Sequence, residues 1–290
     1  MSRRFDTITF LSDYGTGDEF VGVVHSVIRS IAPHVAVVDL THEVPAYDVR
    51  AGSLALGRAA QYLCPGVVLA VVDPGVGTER RGVAVEVGGG QSYLVGPDNG
   101  LLASAVAMSG GATAAVELTN PAYQLPAPGP TFAGRDVFAP AAAHLCNGVP
   151  LEDLGPAVDP LSLLPGLMPL PRDEGGALVA EVIWVDRFGN CQLNVDPDEI
   201  DHLGARVQLR WGDDSRTAER ATTYQGIAPG QVGLVVDSYG MLSVCLGKRS
   251  AAGELAMPVG TEVTLCTPGA GEPEIGPSAQ PITLTPRRTS

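Results

Sequence analysis

Apolar runs and helically spaced apolar residues alternate along the first 150 residues. The short apolar runs predict buried strands at residues 7–13, 35–40, 67–73, 82–87 and 92–95. The intervening segments predict helices at residues 19–31, 48–63, 100–108 and 136–146. Asp48 is a candidate N-cap for the second of these helices. Near-continuous apolar strands separated by helices indicate a mostly parallel sheet covered on both faces. Residues 1–150 are therefore expected to form an α/β domain.

The pattern changes after residue 150. Residues 151–176 combine several prolines and glycines with scattered leucines, which is typical of a linker that lies on a surface. From residue 177 onward, short apolar runs alternate with turn residues and predict strands at 178–185, 191–195, 206–211, 232–236, 241–246 and 262–266. This alternation indicates a smaller all-β, barrel-like domain over residues 177–267. Residues 268–290 are polar with Pro and Gly, so we expect a flexible tail.

Composition and charge narrow the class of protein. The chain has 290 residues and a formal net charge of −14, and this acidic excess argues against a protein that neutralises nucleic-acid phosphates. Hydrophobic residues make up 45% of the chain, which is too many for a disordered protein. No run approaches the ~18 apolar residues of a membrane span, and the first residues lack the apolar core of a signal peptide. We expect a cytoplasmic protein with no nucleic-acid or membrane partner.

The cysteines indicate the redox environment of the protein. They are odd in number, widely spaced and mostly within apolar runs, at Cys64, Cys146, Cys191, Cys245 and Cys266. This arrangement is typical of reduced, buried thiols in a cytosolic protein, and it does not resemble a disulfide framework or a C-x-x-C metal site.

The first predicted strand ends in a glycine-rich turn that carries three carboxylates, Asp13, Asp18 and Glu19. Such a turn is where a parallel sheet places ligands. The carboxylates would repel a pyrophosphate, and Phe20 stands where a dinucleotide fingerprint needs a small residue. Ribose hydroxyls or a cationic ligand suit Asp13 better. A tight turn with a helix N-cap explains the segment equally well.

The third strand of the pattern leads into a second glycine-rich loop, which runs from Asp73 to Arg80. A salt bridge that holds the loop together is the structural interpretation. The functional interpretation is a pair that orients water, in which the carboxylate accepts a proton and the arginine favours a neighbouring anion.

Two familiar catalytic patterns are absent from the sequence. His42-Glu43 begins like a zinc-protease motif, but the second histidine is missing and Pro45 would interrupt the required helix. No G-x-S-x-G segment provides a hydrolase nucleophile. The five histidines show no ligand spacing, so we expect no metal site.

Two turns in the second half of the chain could contribute to binding. Asp186-Arg-Phe-Gly-Asn190 and Asp237-Ser-Tyr-Gly240 each lie between predicted strands. Asp, Asn and Gly favour turns on their own account. The first turn could also hold an amine and a planar ring through Asp186, Phe188 and Asn190.

Six segments together resemble a known family. They are Ser12-Asp-Tyr-Gly15, Val72-Asp-Pro-Gly-Val-Gly-Thr-Glu-Arg80, Gly96-Pro-Asp-Asn-Gly-Leu-Leu102, Thr131-Phe-Ala-Gly-Arg-Asp136 and the two turns above. In this order they resemble the S-adenosyl-L-methionine (SAM) hydroxide adenosyltransferases, relatives of fluorinase and chlorinase, over about residues 6–266. The resemblance implies an α/β domain and a β-barrel domain in a homotrimer, with SAM bound between subunits. It also implies hydrolysis of SAM to adenosine and L-methionine, with SAM as substrate and no cofactor.

The resemblance also implies roles for individual residues. Asp73 and Arg80 would hold and activate the water, whereas halogenases carry tyrosine and threonine at the positions of Asp73 and Val76. In the N-terminal half, Asp13 would bind the ribose hydroxyls, Tyr47 stands where halogenases carry a pocket tryptophan, and Phe132 lies in the fourth motif. The C-terminal half would supply Asp186 and Ser238 for the methionine group and Phe188 and Asn190 for the adenine. Tyr239 replaces an arginine that halogenases place beside the methionine group.

One position departs from the hydrolase pattern. The family commonly reads Thr-Phe-His-Gly-Arg-Asp, in which the histidine completes the water-binding set, and this chain has Ala133 there. Either the alanine is an engineered replacement, or the natural protein has a different or slower water site. Two alternatives to hydrolysis therefore stay open: a SAM-dependent halogenase, and a protein that binds SAM or adenosine without turnover.

Overall fold

The computed structural model describes residues 5–269, and within them the chain divides into two compact units at Met168 and Pro169. The predicted tail, residues 268–290, lies outside the described residues from position 270 onward. Each unit contains its own sheet and its own apolar core. The two-part organisation of an α/β fold followed by an all-β fold is confirmed.

The first unit is built on a seven-stranded sheet with the order β2-β1-β3-β5-β4-β6-β7. Strands β1, β2, β3 and β5 are parallel, whereas β4, β6 and β7 add antiparallel pairings at one side. The strand bounds are β1 Thr7–Ser12, β2 Ala36–Thr41, β3 Val67–Val71, β4 Gly82–Val87, β5 Ser92–Pro97, β6 Ala112–Glu117 and β7 Ala157–Val158. All five residues of β3 are buried, as a central parallel strand covered on both faces requires.

Helices cover this sheet. Their bounds are α1 Phe20–Ile31, α2 Val49–Ala59, α3 Ala103–Met108 and α4 Ala139–Cys146. Asp48 is the N-cap of α2, since its Oδ1 accepts from the amide of Ala51 at 2.9 Å. Five residues of wider π-helical geometry, Gly134–Phe138, lead directly into α4. Such insertions occur often at functional sites, and this one includes part of the fourth sequence motif.

The core of the first unit lies between the sheet and the helices α1 and α4. Ile8 and Phe10 of β1 are fully buried there with Phe138. Helix α1 contributes Val24 and Ile28, which lie one turn apart on the same face. Alanines fill much of α4, and their small size lets this helix pack closely against α1 and β3.

Residues 151–168 belong to the first unit, whereas the sequence predicts a linker over 151–176. A short helical turn, Leu151–Leu154, buries two leucines, and β7 pairs with β6 at the edge of the sheet. The sequence did not predict these elements because each is only two to four residues long and lies among prolines and glycines.

The second unit forms a closed barrel of seven strands, with β8 paired to β9 outside the ring. Closure comes from β9, which pairs with β15 along one edge and with β10 along the other. The strand bounds are β8 Arg172–Glu174, β9 Ala177–Val185, β10 Cys191–Leu193, β11 Arg206–Trp211, β12 Asp214–Ala221, β13 Val232–Val236, β14 Leu242–Leu246 and β15 Glu262–Cys266. One helical turn, α5 Ala251–Glu254, follows β14. Closure removes free strand edges, as a small all-β domain requires.

All five cysteines are free thiols, and four of them are buried. The expectation of burial is wrong for Cys64, which is exposed between α2 and β3, where the chain turns at Pro65. Within residues 5–269, no helix is both long and apolar enough to cross a membrane.

Candidate functional site

The first set of candidate residues gathers at the carboxyl edge of the parallel strands. Ser12 of β1 lies beside Val71 of β3, so Asp13 and Asp73 follow neighbouring strands at the same edge. The amide of Asp13 donates to the carbonyl of Val71 at 3.3 Å. This edge is where ligands bind in open α/β sheets.

Asp73 and Arg80 form a two-point ion pair. Arg80 Nε donates to Asp73 Oδ1 at 2.7 Å, and Nη2 donates to Oδ2. The Asp73 side chain is 6% exposed and the Arg80 side chain is 18% exposed, so water screens this pair far less than a surface pair. The guanidinium carbon also lies 5.1 Å from the ring centre of Phe138. The loop thus fixes a desolvated carboxylate in one orientation.

Tyr14 is a member of this site that the sequence did not single out. Burial raises the pKa of Tyr14 above its ordinary value, and the carboxylates of Asp13, Asp73 and Asp136 raise it further against the opposing effect of Arg80. Its phenol therefore stays protonated in neutral solution, where it can donate a hydrogen bond but not act as a base. Asp13 directly precedes Tyr14, whereas Asp73 and Asp136 come from distant segments, which explains why no sequence motif assigns Tyr14 this role.

Asp13 is anchored by the segment that contains Tyr47. The backbone amide of Tyr47 donates to Asp13 Oδ2 at 2.9 Å, which leaves Oδ1 with its lone pairs for a ligand. Tyr47 has a φ of 68°, a left-handed conformation that is uncommon for a side chain of this size. The residue is 74% exposed. The structure thus brings two of the predicted binding residues together.

Phe132 lies in an aromatic cluster with Tyr14 and Phe20. Its ring centre is 5.7 Å from that of Tyr14 and 5.0 Å from that of Phe20, both in edge-to-face geometry. The guanidinium carbon of Arg135 lies 5.0 Å from the same ring centre. Ala133 directly follows Phe132 and is half-buried against the core of the first unit.

Gly134 allows Tyr14 to occupy its position. A Cβ atom on Gly134 would overlap the Tyr14 hydroxyl and lie 3.1 Å from Cζ of the same ring. We expect Gly134→Ala to destabilise the protein by about 1–3 kcal/mol, the usual cost of overpacking, and to displace Tyr14. Thermal unfolding measures this cost. It should be smaller when Gly134→Ala is made in a Tyr14→Phe background, because the overlapping oxygen is then absent.

The control for this prediction is Gly17→Ala. Gly17 lies in the same glycine-rich turn as Tyr14, but an added Cβ would meet no atom within 4 Å. The melting temperature of this variant should therefore stay close to that of the unmodified protein. An equal cost for Gly134→Ala with and without the Tyr14 hydroxyl would contradict the steric explanation.

The second set of candidate residues lies in the barrel unit, in the turn between β9 and β10. Asp186 Oδ1 accepts from the amides of Phe188 at 2.9 Å and Asn190 at 2.8 Å, and Oδ2 accepts from Asn190 Nδ2 at 2.7 Å. Two bonds fill the lone pairs of Oδ1, whereas Oδ2 retains one for a further donor. Phe188 is 77% exposed at the tip of this turn.

The turn between β13 and β14 repeats this hydrogen-bond pattern. Asp237 Oδ1 accepts from the amides of Tyr239 at 2.8 Å and Met241 at 3.1 Å, so Ser238 and Tyr239 occupy the positions of Arg187 and Phe188. Asp237 Oδ2 accepts from Gln192 Nε2 at 2.5 Å. Asp237 was not among the predicted site residues, although an aspartate that caps its own turn is a recognisable signal.

The two turn aspartates lie near one another within the barrel unit. Burial raises the pKa of Cys245, and the charges of both Asp186 and Asp237 raise it further. The same two charges act on Tyr224, whose pKa is raised mainly by burial. Strand β10, which follows the first turn, pairs with β14, which follows the second, so the two turns bring two carboxylates into the same part of the barrel unit. Such a pair of negative charges suits a ligand with an ammonium group.

Potential metal ligands come together at another place in the first unit. His25, Asp39 and His42 place one ligand atom each within 4.8 Å of the others. The separations along the sequence match no common metal motif, which is why the sequence predicted no metal site.

Both units of the chain are similar to known proteins. The family models for the SAM hydroxide adenosyltransferase N-terminal and C-terminal domains match residues 8–155 and 180–264. A relative named (R)-S-adenosyl-L-methionine hydrolase from Salinispora tropica is 44% identical over 87% of this chain and 95% of its own length. A fluorinase from Actinoplanes sp. is 30% identical over 70% of this chain and 76% of its own length. The crystal structure of an uncharacterized conserved protein from Thermotoga maritima superimposes with a TM-score of 0.82 at 35% identity, over 89% of this chain and 99% of that chain.

Proposed function

Because the chain belongs to the SAM hydroxide adenosyltransferase family, we propose that it hydrolyses SAM to adenosine and L-methionine. The observation that carries the proposal is the desolvated Asp73–Arg80 pair at the carboxyl edge of the sheet, next to Asp13 and Tyr14. The Salinispora tropica relative described above, which is named (R)-S-adenosyl-L-methionine hydrolase, is 44% identical to this chain.

The reaction is a displacement at C5′ of the ribose. A water oxygen forms a bond to C5′ while the C5′–S bond breaks, and the electron pair of that bond goes to sulfur. The sulfonium leaves as a neutral thioether, so the leaving group needs no general acid. One proton of the attacking water passes to Asp73 and from there to solvent. SAM supplies the electrophile and water the nucleophile, so the proposed reaction needs no cofactor.

The chain supplies position and charge. Asp73 orients the water by accepting a hydrogen bond from it, and Arg80 both fixes Asp73 and stabilises the developing hydroxide. Asp13 binds the ribose hydroxyls through its free Oδ1. Holding water and C5′ in line in this way lowers the entropic part of the barrier.

The negative charge of Asp73 favours water over a halide ion as the nucleophile. A buried carboxylate repels a halide anion but accepts a hydrogen bond from water. Halogenases, by the resemblance described above, have tyrosine and threonine at the positions of Asp73 and Val76. The fluorinase relative is also less similar, at 30% identity compared with 44% for the hydrolase.

The barrel unit binds the remainder of SAM in this proposal. The remaining lone pair of Asp186 Oδ2 accepts from the methionine ammonium, and Ser238 holds the same amino-acid group. Phe188 stacks on the adenine, and the amide oxygen of Asn190 accepts a hydrogen bond from its edge. Tyr239 lies at the position equivalent to Phe188 in the second turn and contacts the methionine group.

Phe188 gives a direct test of adenine binding. Stacking of a base on an aromatic ring contributes about 1–3 kcal/mol, so Phe188→Ala should raise KM for SAM by about 10-fold. Steady-state kinetics measures the change, and the melting temperature should stay constant because the ring is mostly exposed. Leu161→Ala removes a side chain that is 93% exposed and should leave KM unchanged. A KM for Phe188→Ala equal to that of this control would remove Phe188 from the binding site.

Product analysis tests the proposed reaction against both alternatives. Chromatography of a reaction with SAM should detect adenosine and L-methionine in equal amounts, with or without added chloride or fluoride. A 5′-halo-5′-deoxyadenosine that appears only with halide would identify a halogenase. Unchanged SAM after a single-turnover incubation with excess protein would identify a protein that binds without turnover.

We further propose that the protein is a cytoplasmic homotrimer, as the resemblance implies. The free thiols support a reducing compartment. Mass measurement in solution tests the assembly: three times the chain mass is expected, and a monomer that remains active would contradict a site shared between subunits.

A further inference from the structure

The polar atoms of three side chains lie close together at the outer edge of the first sheet. His25 lies on α1, Asp39 on β2, and His42 directly after β2. Nε2 of His25 is 2.8 Å and Nε2 of His42 is 3.0 Å from the same oxygen, Asp39 Oδ1. None of the three has a role in the proposed displacement at C5′.

We propose that His25, Asp39 and His42 bind a divalent first-row transition metal ion, with Zn²⁺ as the representative. Two imidazoles and one carboxylate are ligands that such ions accept. Ligand atoms at about 2.0–2.2 Å from a metal lie about 3.0–3.4 Å from each other when the angle between them is between octahedral and tetrahedral. The distances of 2.8 and 3.0 Å from the two imidazole nitrogens to Asp39 Oδ1 are close to that range.

The Nε2 atom of His42 distinguishes this cluster from an ordinary hydrogen-bond network. His42 is only 5% exposed. Its Nε2 lies close to Asp39, yet it makes no directed hydrogen bond to any residue of the described part of the chain. A buried ring nitrogen that faces a carboxylate without such a bond is satisfied by a cation bound to both.

The other nitrogen of His42 is held as metal-ligating histidines usually are. Nδ1 lies 2.7 Å from the hydroxyl of Ser12, which fixes the ring orientation. Partner groups of this kind orient the ring and set the tautomer that binds metal. Ser12 is fully buried, so this support is built into the core.

Asp39 and His25 leave one side of the cluster open. The His25 side chain is 35% exposed and that of Asp39 is 44% exposed. Water can therefore complete the coordination, as at sites with three protein ligands.

The position of the cluster indicates a structural role for the ion. The carbonyl of His42 accepts from the amide of Gly15 at 2.7 Å, and Ser12 Oγ accepts from the amide of Tyr14 at 3.3 Å. A metal bound to His42 would therefore stabilise the turn that carries Asp13, without contacting the reacting atoms.

The test is a metal titration of the full chain after removal of metal by chelation. We expect one Co²⁺ or Zn²⁺ per chain, visible absorption bands of the Co²⁺ form that are typical of nitrogen and oxygen ligation, and a higher melting temperature with Zn²⁺. His25→Gln keeps a donor for Asp39 but loses the imidazole ligand. Its affinity should fall by at least about 10-fold, since even supporting residues have effects of about 10–100-fold. Ser12→Ala should lower the affinity within that range as well.

His202→Ala is the matched control, because His202 is an exposed histidine of the barrel unit. This variant should titrate like the unmodified protein. Equal affinities for the unmodified protein and His25→Gln, or no Co²⁺ binding by the folded chain, would overturn the proposal. A loss in His202→Ala as large as that in His25→Gln would also overturn it, because the ion would then bind elsewhere.

Discussion

Asp73→Asn should lower the rate of SAM hydrolysis by about 10²–10⁴-fold, the range typical of a lost general base. The amide keeps the shape of the carboxylate, but its NH₂ group cannot accept a proton from water. It also turns a donor toward Arg80, whose Nε and Nη2 both donate to Asp73. Single-turnover rates at saturating SAM measure the effect on the chemical step separately from binding.

The neighbouring ion pair provides a matched control. Asp98 is buried and accepts from Arg81 Nε at 2.9 Å, and its other oxygen accepts from the amide of Leu164. Asp98→Asn therefore disrupts a similar pair in the same unit and should lower the melting temperature by a similar amount. The rate per folded molecule should remain near that of the unmodified protein. Equal rate losses in the two variants would mean that Asp73 acts only through stability.

Ala133→His should raise the rate of hydrolysis, with a gain of up to about 10²-fold if the imidazole contributes as a general base or orients the water. Ala133 lies between Phe132, whose ring contacts that of Tyr14, and Gly134, which faces the Tyr14 hydroxyl. A histidine at this position restores the Asp-Arg-His set that the family pattern implies. Single-turnover kinetics with equal amounts of folded protein measures the gain.

Ala133→Leu controls for volume alone. It fills similar space without a group that exchanges protons, so the rate should not rise. If the histidine variant is no faster than the unmodified protein, or if the leucine variant is equally fast, the water site does not extend to position 133.

Much of the fold could be predicted because burial leaves a strong pattern in the sequence. The continuous apolar run of β3 and the turn residues between the barrel strands are examples. Strand β6 was missed because half of its sequence, Ala-Thr-Ala-Ala-Val-Glu, is alanine, a residue that is depleted in strands. Strand β12 was missed because Asp, Ser, Arg and Glu dominate it, and only Ala218 is buried.

Residues of the candidate site could be predicted only where the pattern within a single segment places them at the sheet edge. Asp13 and Asp73 each end an apolar run, so their common edge follows from a parallel sheet. Tyr14 takes its role from burial and from Asp73 and Asp136, which lie far from it along the sequence. The cluster around Asp39 unites α1 with the end of β2. Such contacts depend on three-dimensional packing, which the spacing of residues along one chain does not record.

A single turnover in water enriched in oxygen-18 tests the direct attack of water at C5′. With protein in excess over SAM, we predict that each adenosine carries one oxygen-18 atom at its 5′ position and that the carboxylate of Asp73 stays unlabelled. If Asp73 itself attacked C5′, hydrolysis of the resulting ester at its carbonyl would release unlabelled adenosine and leave the heavy oxygen on Asp73. Mass spectrometry of the nucleoside and of the peptide that contains Asp73 distinguishes the two results, and the second would contradict a water held by Asp73 and Arg80.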